Sequence, residues 1–286
     1  MAIPCVIALI LFSYLPLFGW LIAFFDYKPG LVLFQTKFVG LKWFTFAFKD
    51  MEMLLILRNT LVLSFLSLLA YPLAIGFAMF LMEMRSARIR KLVQTLTTLP
   101  NFISWVLVFS IAYAFLSSGD GVLNKILLNF NLIETPLNPL ANPEIVWPLQ
   151  TAILIWKTLG FSAIIYIAAI VGIDQGLYEA ASIDGAGRFQ KMWHITIPGI
   201  IPTFITLLLL GIGNLLNTGF EQYYLFKNPL TQSTIEVLDL YVYRIGITLN
   251  NFPLSTAIGM SKTLVSVLLL FGANYLSKKL RDQSIF

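Results

Sequence analysis

The sequence predicts an all-α polytopic membrane protein with about six transmembrane helices, and three observations carry that prediction. Of its 286 residues, 58% are hydrophobic and only 12% are charged, against ~25% charged in an ordinary soluble domain. The apolar residues come in long unbroken runs, and a run of about 18 or more reads as a membrane span. The basic residues that raise the net charge to +5 gather in a few short segments between those runs, as cytoplasmic loops do.

The first span is expected from Ala2 to Phe25, ending at the turn-like Asp26-Tyr27-Lys28-Pro29-Gly30. It has no basic leader and no small-residue cleavage site, so it is expected to stay in the protein. Five more spans are expected at 59–82 (kinked by Pro72), 99–116, 148–172, 198–217 and 253–276. No internal repeat or low-complexity segment interrupts them, so residues 1–286 are expected to form a single membrane domain.

Charge orients the spans. Arg85, Arg88, Arg90 and Lys91 follow the second span, Arg188 and Lys191 follow the fourth, and Lys278, Lys279 and Arg281 follow the sixth. An even span number puts all three segments and both termini on one side, the cytoplasm by the positive-inside rule. The segment after the first span is also basic, but it is longer and mixed with acids. Loops 118–147 and 218–252 then face outward; Pro136, Pro139 and Pro143 give the first a turn-rich character.

Several functions find no residues here. No basic patch interleaved with aromatics points to nucleic acid. The single cysteine, Cys5, excludes an internal disulfide and a cysteine metal cluster. No Gly-x-x-x-x-Gly-Lys-Ser/Thr loop is present to cradle phosphate, and neither His-Glu-x-x-His nor Gly-x-Ser-x-Gly occurs. The only histidine, His194, lies in a loop, and Ser64, Ser67 and Ser110 have no histidine within a span to act as a base. An intramembrane enzyme or a secondary transporter stays open as an alternative, though no paired inverted halves are visible.

The most informative segment is 174–198. Leu177 to Asp184 is expected to form a short helix, with Gly185 in the left-handed position that ends it. Ala180, Ala181, Ala186 and the glycines keep this element thin, and Phe189, Met192 and Trp193 give the next turn an apolar face. Physical chemistry alone leaves two readings: a knob against which another protein packs, or an amphipathic linker lying on the membrane.

Glu179-Ala180-Ala181, then Asp184-Gly185-Ala186, then Ile197-Pro198, resembles the signature loop of binding-protein-dependent ABC importer permeases. Tyr14-Leu15-Pro16-Leu17-Phe18-Gly19, Leu57-Arg58-Asn59-Thr60, Leu99 to Trp105, Gly219-Phe220-Glu221-Gln222 and Ala273 to Ser277 are similar to the polysaccharide and complex-oligosaccharide branch, related to maltose-type permeases. The resemblance implies a type I importer fold. It implies a second permease subunit, two ATPase subunits that hold ATP and magnesium, and an extracytoplasmic solute-binding protein, in the inner membrane of a bacterium. It further implies that Glu179, Ala180, Ala181, Asp184, Gly185 and Ala186 dock into the ATPase, and that this chain has no catalytic or metal site. Larger maltose-type subunits can carry extra N-terminal spans and a big periplasmic insertion; neither is visible here, so their outer contacts do not carry over.

Polar residues inside spans are candidates for the substrate path. Asn214 and Asn217 lie near the outer end of the fifth span, followed by Glu221, Tyr223 and Tyr224. Amides match sugar hydroxyls and aromatic faces match sugar C–H surfaces; helix–helix hydrogen bonding and an interfacial belt are the plainer alternatives. Lys157 and Lys262 each sit about nine residues inside the outer end of a span, roughly 13 Å deep, with no acid in any span core to pair with. Both are expected to face the cavity beside Trp156 and Asn214 and to favour an acidic saccharide. The alternative is that each caps carbonyls at a helix break or meets the partner permease.

Overall fold

Apolar runs become helices because a backbone in hydrocarbon must satisfy its own N–H and C=O groups. The computed structural model describes residues 3–281, and among them there is no strand beyond one isolated bridge, Phe25 to Phe38. The first span starts as α1 (Ile3–Leu9), then continues through a π turn (Ile10–Tyr14) and a 3-10 stretch (Leu15–Phe24). Ala2, the expected start of this span, lies outside the described residues, as do Met1 and residues 282–286 at the chain ends.

A short α2 (Lys42–Lys49) leads to the second span, α3 (Met51–Ser67) and α4 (Ala70–Glu83). The break between them falls at Leu68–Leu69 rather than at Pro72 itself. A proline ring clashes with the carbonyl four residues back, and four residues before Pro72 is Leu68.

The third span departs from expectation. Instead of one helix over 99–116, the chain forms α5 (Ala87–Thr98), a 3-10 turn (Leu99–Phe102) and α6 (Trp105–Leu116), bent by 107° at the break. Pro100 has no N–H to continue the helix, and Ser104 starts α6 afresh by accepting from the N–H of Leu107. Among the described residues five helical spans are long and apolar enough to cross a membrane, and six if this bent pair is counted as one span.

Next come α7 (Val122–Asn129) and the fourth span, α8 (Val146–Val171). The 118–147 loop is ordered around buried Asn124, whose amide donates to Ser117 O and Leu137 O and whose oxygen accepts from Leu137 N. Then α9 (Gln175–Ile183), α10 (Arg188–Lys191) and a π turn (Met192–Thr196) lead into the fifth span, α11 (Ile197–Gly213). Three short helices, α12 (Glu221–Phe226), α13 (Gln232–Ile235) and α14 (Leu238–Tyr243), precede the last span, α15 (Phe252–Arg281).

The 218–252 segment is not a loose outer loop. Val237, Leu238, Leu240 and Tyr241 are buried, and they pack with Met53, Ile56 and Leu63 of α3 and Leu254 and Ile258 of α15. Buried Asn59 donates to Ser233 O (2.8 Å) and Glu236 O (3.2 Å), and buried Thr60 accepts from Leu238 N (2.9 Å). Trp147 donates to Thr234 O, and Gln222 donates to Gln150 O and Oε1. Polar span residues thus take up the backbone groups of a segment that returns to the bundle.

Candidate functional site: a hydroxyl-lined cavity and an exposed knob

At the level of the α3–α4 break, a cavity of about 300 Å³ opens between α3, α4, α8 and the end of α11. Its polar wall is Ser64, Ser67, Tyr71, Thr158, Asn214 and Asn217, joined by Ser162, Thr218 and Tyr223. Among the described residues, no charged side chain lines it. Asn214 donates to Leu210 O and so covers an end carbonyl of α11, while Asn217 donates to Asn214 Oδ1 across 3.4 Å. The Thr218 hydroxyl is buried here without a protein partner. Gly211 lets the Tyr71 ring in close: a Cβ there would lie 2.5 Å from the phenolic oxygen.

Of the eight path candidates read from sequence, Asn214, Asn217 and Tyr223 meet at this cavity. Trp156 does not; it sits on a separate apolar face with Val108, Ile111 and Phe115. Exposed Glu221 and Tyr224 lie outside the lining, and Tyr224 stacks on Phe220 with ring centroids 5.0 Å apart.

The expectation that both lysines face the cavity is corrected. Lys157 is buried, and its ammonium donates to Pro100 O (3.1 Å), Asn101 O (3.0 Å) and Ile103 O (2.5 Å), with Trp105 beneath it. The break in the third span leaves the Asn101 and Ile103 carbonyls without helical donors, while Pro100 O also accepts from Ile103 N (3.2 Å), and an ammonium brings three donors. Lys262 pairs with Asp239 of α14, which also accepts from Gly219 N. No span core holds an acid for Lys262, as expected; the acid arrives instead from the segment between α11 and α15 that returns to the bundle.

The serines missed as cavity residues carried a signal: they are hydroxyls inside apolar runs. Ser64 spends its proton on Leu215 O and Ser67 on Ser64 O; Ser110, which lies away from the cavity, spends its own on Val106 O. None is arranged as a nucleophile.

The second feature is the knob. α9 ends in a Schellman motif: Ala186 N donates to Ala181 O (2.8 Å), Gly185 N to Ser182 O (3.2 Å), and Gly185 has φ of +78°. Glu179, Ala180, Asp184 and Gly185 are exposed, and Ala181 and Ala186 half-buried. Around them Ile183, Phe189 and Trp193 stand in the open at 88%, 85% and 70% exposure, an apolar patch that a partner would cover. The knob is tied to the spans. Tyr178 and Thr196 share a hydrogen bond of 2.9 Å at the foot of α11, and Arg188 meets Glu83 at the end of α4, 3.9 Å apart.

This arrangement has known counterparts. Protein LplB of Bacillus subtilis (strain 168) is 41% identical over 285 residues, 99% of this chain and 89% of the relative. The polygalacturonan/rhamnogalacturonan transport system permease protein YteP of the same organism is 42% identical over 287 residues, 100% of this chain and 89% of the relative. A chain of a bacterial alginate ABC transporter, solved with an alginate pentasaccharide-bound periplasmic protein, has a TM-score of 0.91 at 35% identity, covering 100% of this chain and 95% of that one. The type I permease fold is therefore shared along the whole chain. The knob and the walls of the cavity fall largely within residues 70–282, which match the family model described as binding-protein-dependent transport system inner membrane component, and to that family of ABC importer permeases the chain belongs.

Proposed function

We propose that this chain, acting as one permease domain, is one of two different membrane subunits of an ATP-driven importer whose cargo is an oligo- or polysaccharide bearing carboxylates. The observation that carries the reading is the cavity: hydroxyls and amides offer donors and acceptors to sugar hydroxyls, and the unpartnered Thr218 hydroxyl is one such group. The acidic cargo is supported by the relatives named for polygalacturonan and alginate, not by Lys157 or Lys262. An uncharged wall neither traps nor strongly opposes a carboxylated chain, so selection for acidity falls to a solute-binding protein outside.

The knob residues Glu179, Ala180, Ala181, Asp184, Gly185 and Ala186 dock into the ATPase. The chain itself is not an enzyme; ATP and its magnesium ion sit on two partner ATPase subunits, and no metal or cofactor belongs to this chain. The assembly sits in the bacterial inner membrane with the knob and both termini in the cytoplasm.

Reconstitution with the partner subunits and the binding protein tests this. Uptake of a labelled oligogalacturonate or oligoalginate that requires ATP and the binding protein is expected. Transport of neither, or ATP turnover by this chain purified alone, overturns the reading.

A further inference from the structure

Gly160 marks the closest approach of α5 and α8: a Cβ there would lie 2.2 Å from Thr97 O, so the two backbones touch. One helical turn further along α8, at Ile164, a groove of about 340 Å³ opens between the two helices. Its wall runs from Lys91 through Gln94 and Thr95 to Leu99 and Phe102, with Ile164 opposite. The Phe102 ring closes the far end edge-on to Phe161, centroids 6.3 Å apart.

The groove is polarised along its length. Eleven residues separate Lys91 from Phe102, roughly 16 Å at 1.5 Å per residue. That matches one leaflet of hydrocarbon, about half of ~30 Å. The polar end is strongly basic. Arg85, Arg88, Arg90 and Lys91 fall within seven residues, no acid occurs from Met84 to Phe102, and none of the four forms an ion pair among the described residues. Arg88 lies one turn before Lys91, so the two share a face. The apolar end, Leu99, Phe102 and Ile164, is exposed.

We propose that this groove binds one anionic phospholipid of the leaflet, its phosphate between Arg88 and Lys91 and an acyl chain along Leu99, Phe102 and Ile164. Gln94 and Thr95 stand at the depth of the glycerol esters, where an amide and a hydroxyl have acceptors to meet. Charge complementarity selects the occupant: four unpaired cations beside an apolar slot one leaflet deep call for a lipid with net negative charge. The site is independent of the saccharide reading.

The assembled transporter, purified with its partner subunits, is offered phosphatidylglycerol and phosphatidylcholine of matched chains, and retained lipid is counted by native mass spectrometry. Phosphatidylglycerol is expected to be retained at least about fivefold over phosphatidylcholine, as one basic residue near an anionic surface provides. Arg88→Gln with Lys91→Gln should abolish the preference. Ile164→Trp, which fills the groove without changing charge, should lower phosphatidylglycerol retention by a similar factor. Should the double variant fail to assemble, Lys91→Gln alone carries the comparison. No preference in the unaltered transporter overturns the site. So does a preference that survives the charge variants, or one unmoved by Ile164→Trp, which would reduce the effect to diffuse attraction at the membrane surface.

Discussion

Replacing Lys157 by methionine removes one charge of similar length and tests whether that charge serves structure or cargo. The ammonium makes three bonds to carbonyls of the 99–103 break, at 2.5–3.1 Å. A hydrogen bond to a charged group contributes about 1.5–3 kcal/mol, and a buried acceptor left unsatisfied costs about 1–3 kcal/mol. The Trp105 ring, 5.3 Å from the ammonium, adds roughly 1 kcal/mol. Against these stands the cost of a lysine in hydrocarbon, about 3 kcal/mol on insertion scales, which methionine avoids. Three bonds at the low end of that range plus the ring come to about 5.5 kcal/mol, so against that saving the loss is at least about 2.5 kcal/mol, local to the break between α5 and α6. In a chain of this size that corresponds to a fall in melting temperature of about 5–10 °C. Thermal unfolding of the assembled transporter reads it directly. Lys157→Gln, which retains two N–H donors, should fall between the parent and the methionine variant. In the folded parent, an amine-reactive reagent should leave Lys157 unmodified. Unchanged melting in Lys157→Met, or ready modification of Lys157, would refute the capping role.

Gly185→Asp and Glu179→Lys should each leave the protein in the membrane and reduce uptake at least tenfold, because Gly185 is left-handed with open space around it and a charge there meets the proposed partner rather than this chain; normal ATPase association and uptake in both would dismiss the docking assignment. Asp239→Asn should destabilise by about 2 kcal/mol by leaving Lys262 half-buried and unpaired, and exchanging the two residues should recover part of that in a melting experiment; an exchange no better than the single variant would argue against the pair. Reporter fusions after Lys91, after Asp184 and at Phe286 should read cytoplasm, and one after Asn138 should read outside; a reversal at any of them breaks the orientation.

Spans and knob were legible because each is written locally. A run of apolar residues can satisfy its backbone only as a helix in lipid, which places α8 and α15 within a few residues of where they form. The Asp184-Gly185 step fixes a left-handed helix end from two neighbours alone. The returning 218–252 segment was not legible for the opposite reason. Its helices are six, four and six residues long, too short for periodicity to show a buried face. Its partners Asn59 and Thr60 lie 174 to 178 residues away. The site of Lys157 was half legible. Pro100 inside an apolar run means carbonyls without helical donors, and Lys157 in another span means donors without a carboxylate. Each is costly in hydrocarbon, and they relieve one another; the alternative that Lys157 caps carbonyls at a helix break is the one its geometry bears out over the cavity reading.

The two helix breaks also divide the molecule in a way that bears on how a knob can act on a cavity. Outside the breaks, Asn59, Thr60, Trp147 and Gln150 bind the returning segment to α3 and the start of α8. Inside them, fully buried Ala74, Ala78 and Ala163 let α4 and α8 pack closely around Tyr166 and Ile200, and the knob joins α4 through Glu83 and α11 through Thr196. The cavity lies at the α3–α4 junction, lined by Ser64 and Ser67 on one side of the break and Ala70 and Tyr71 on the other. Packed interiors move as bodies rather than deform, so a displacement of the knob carries α4 and α11 together. The slack is then taken up at Leu68–Leu69, where the helix is already broken. Tyr71 and Gly211, one on each of these helices and already in contact, would keep their contact while α3 shifts relative to them, Ser64 pivoting on its bond to Leu215 O. The hydroxyls proposed to meet a sugar are thus divided between the two bodies, and a shift of one against the other would change the width of the cavity without breaking a single span.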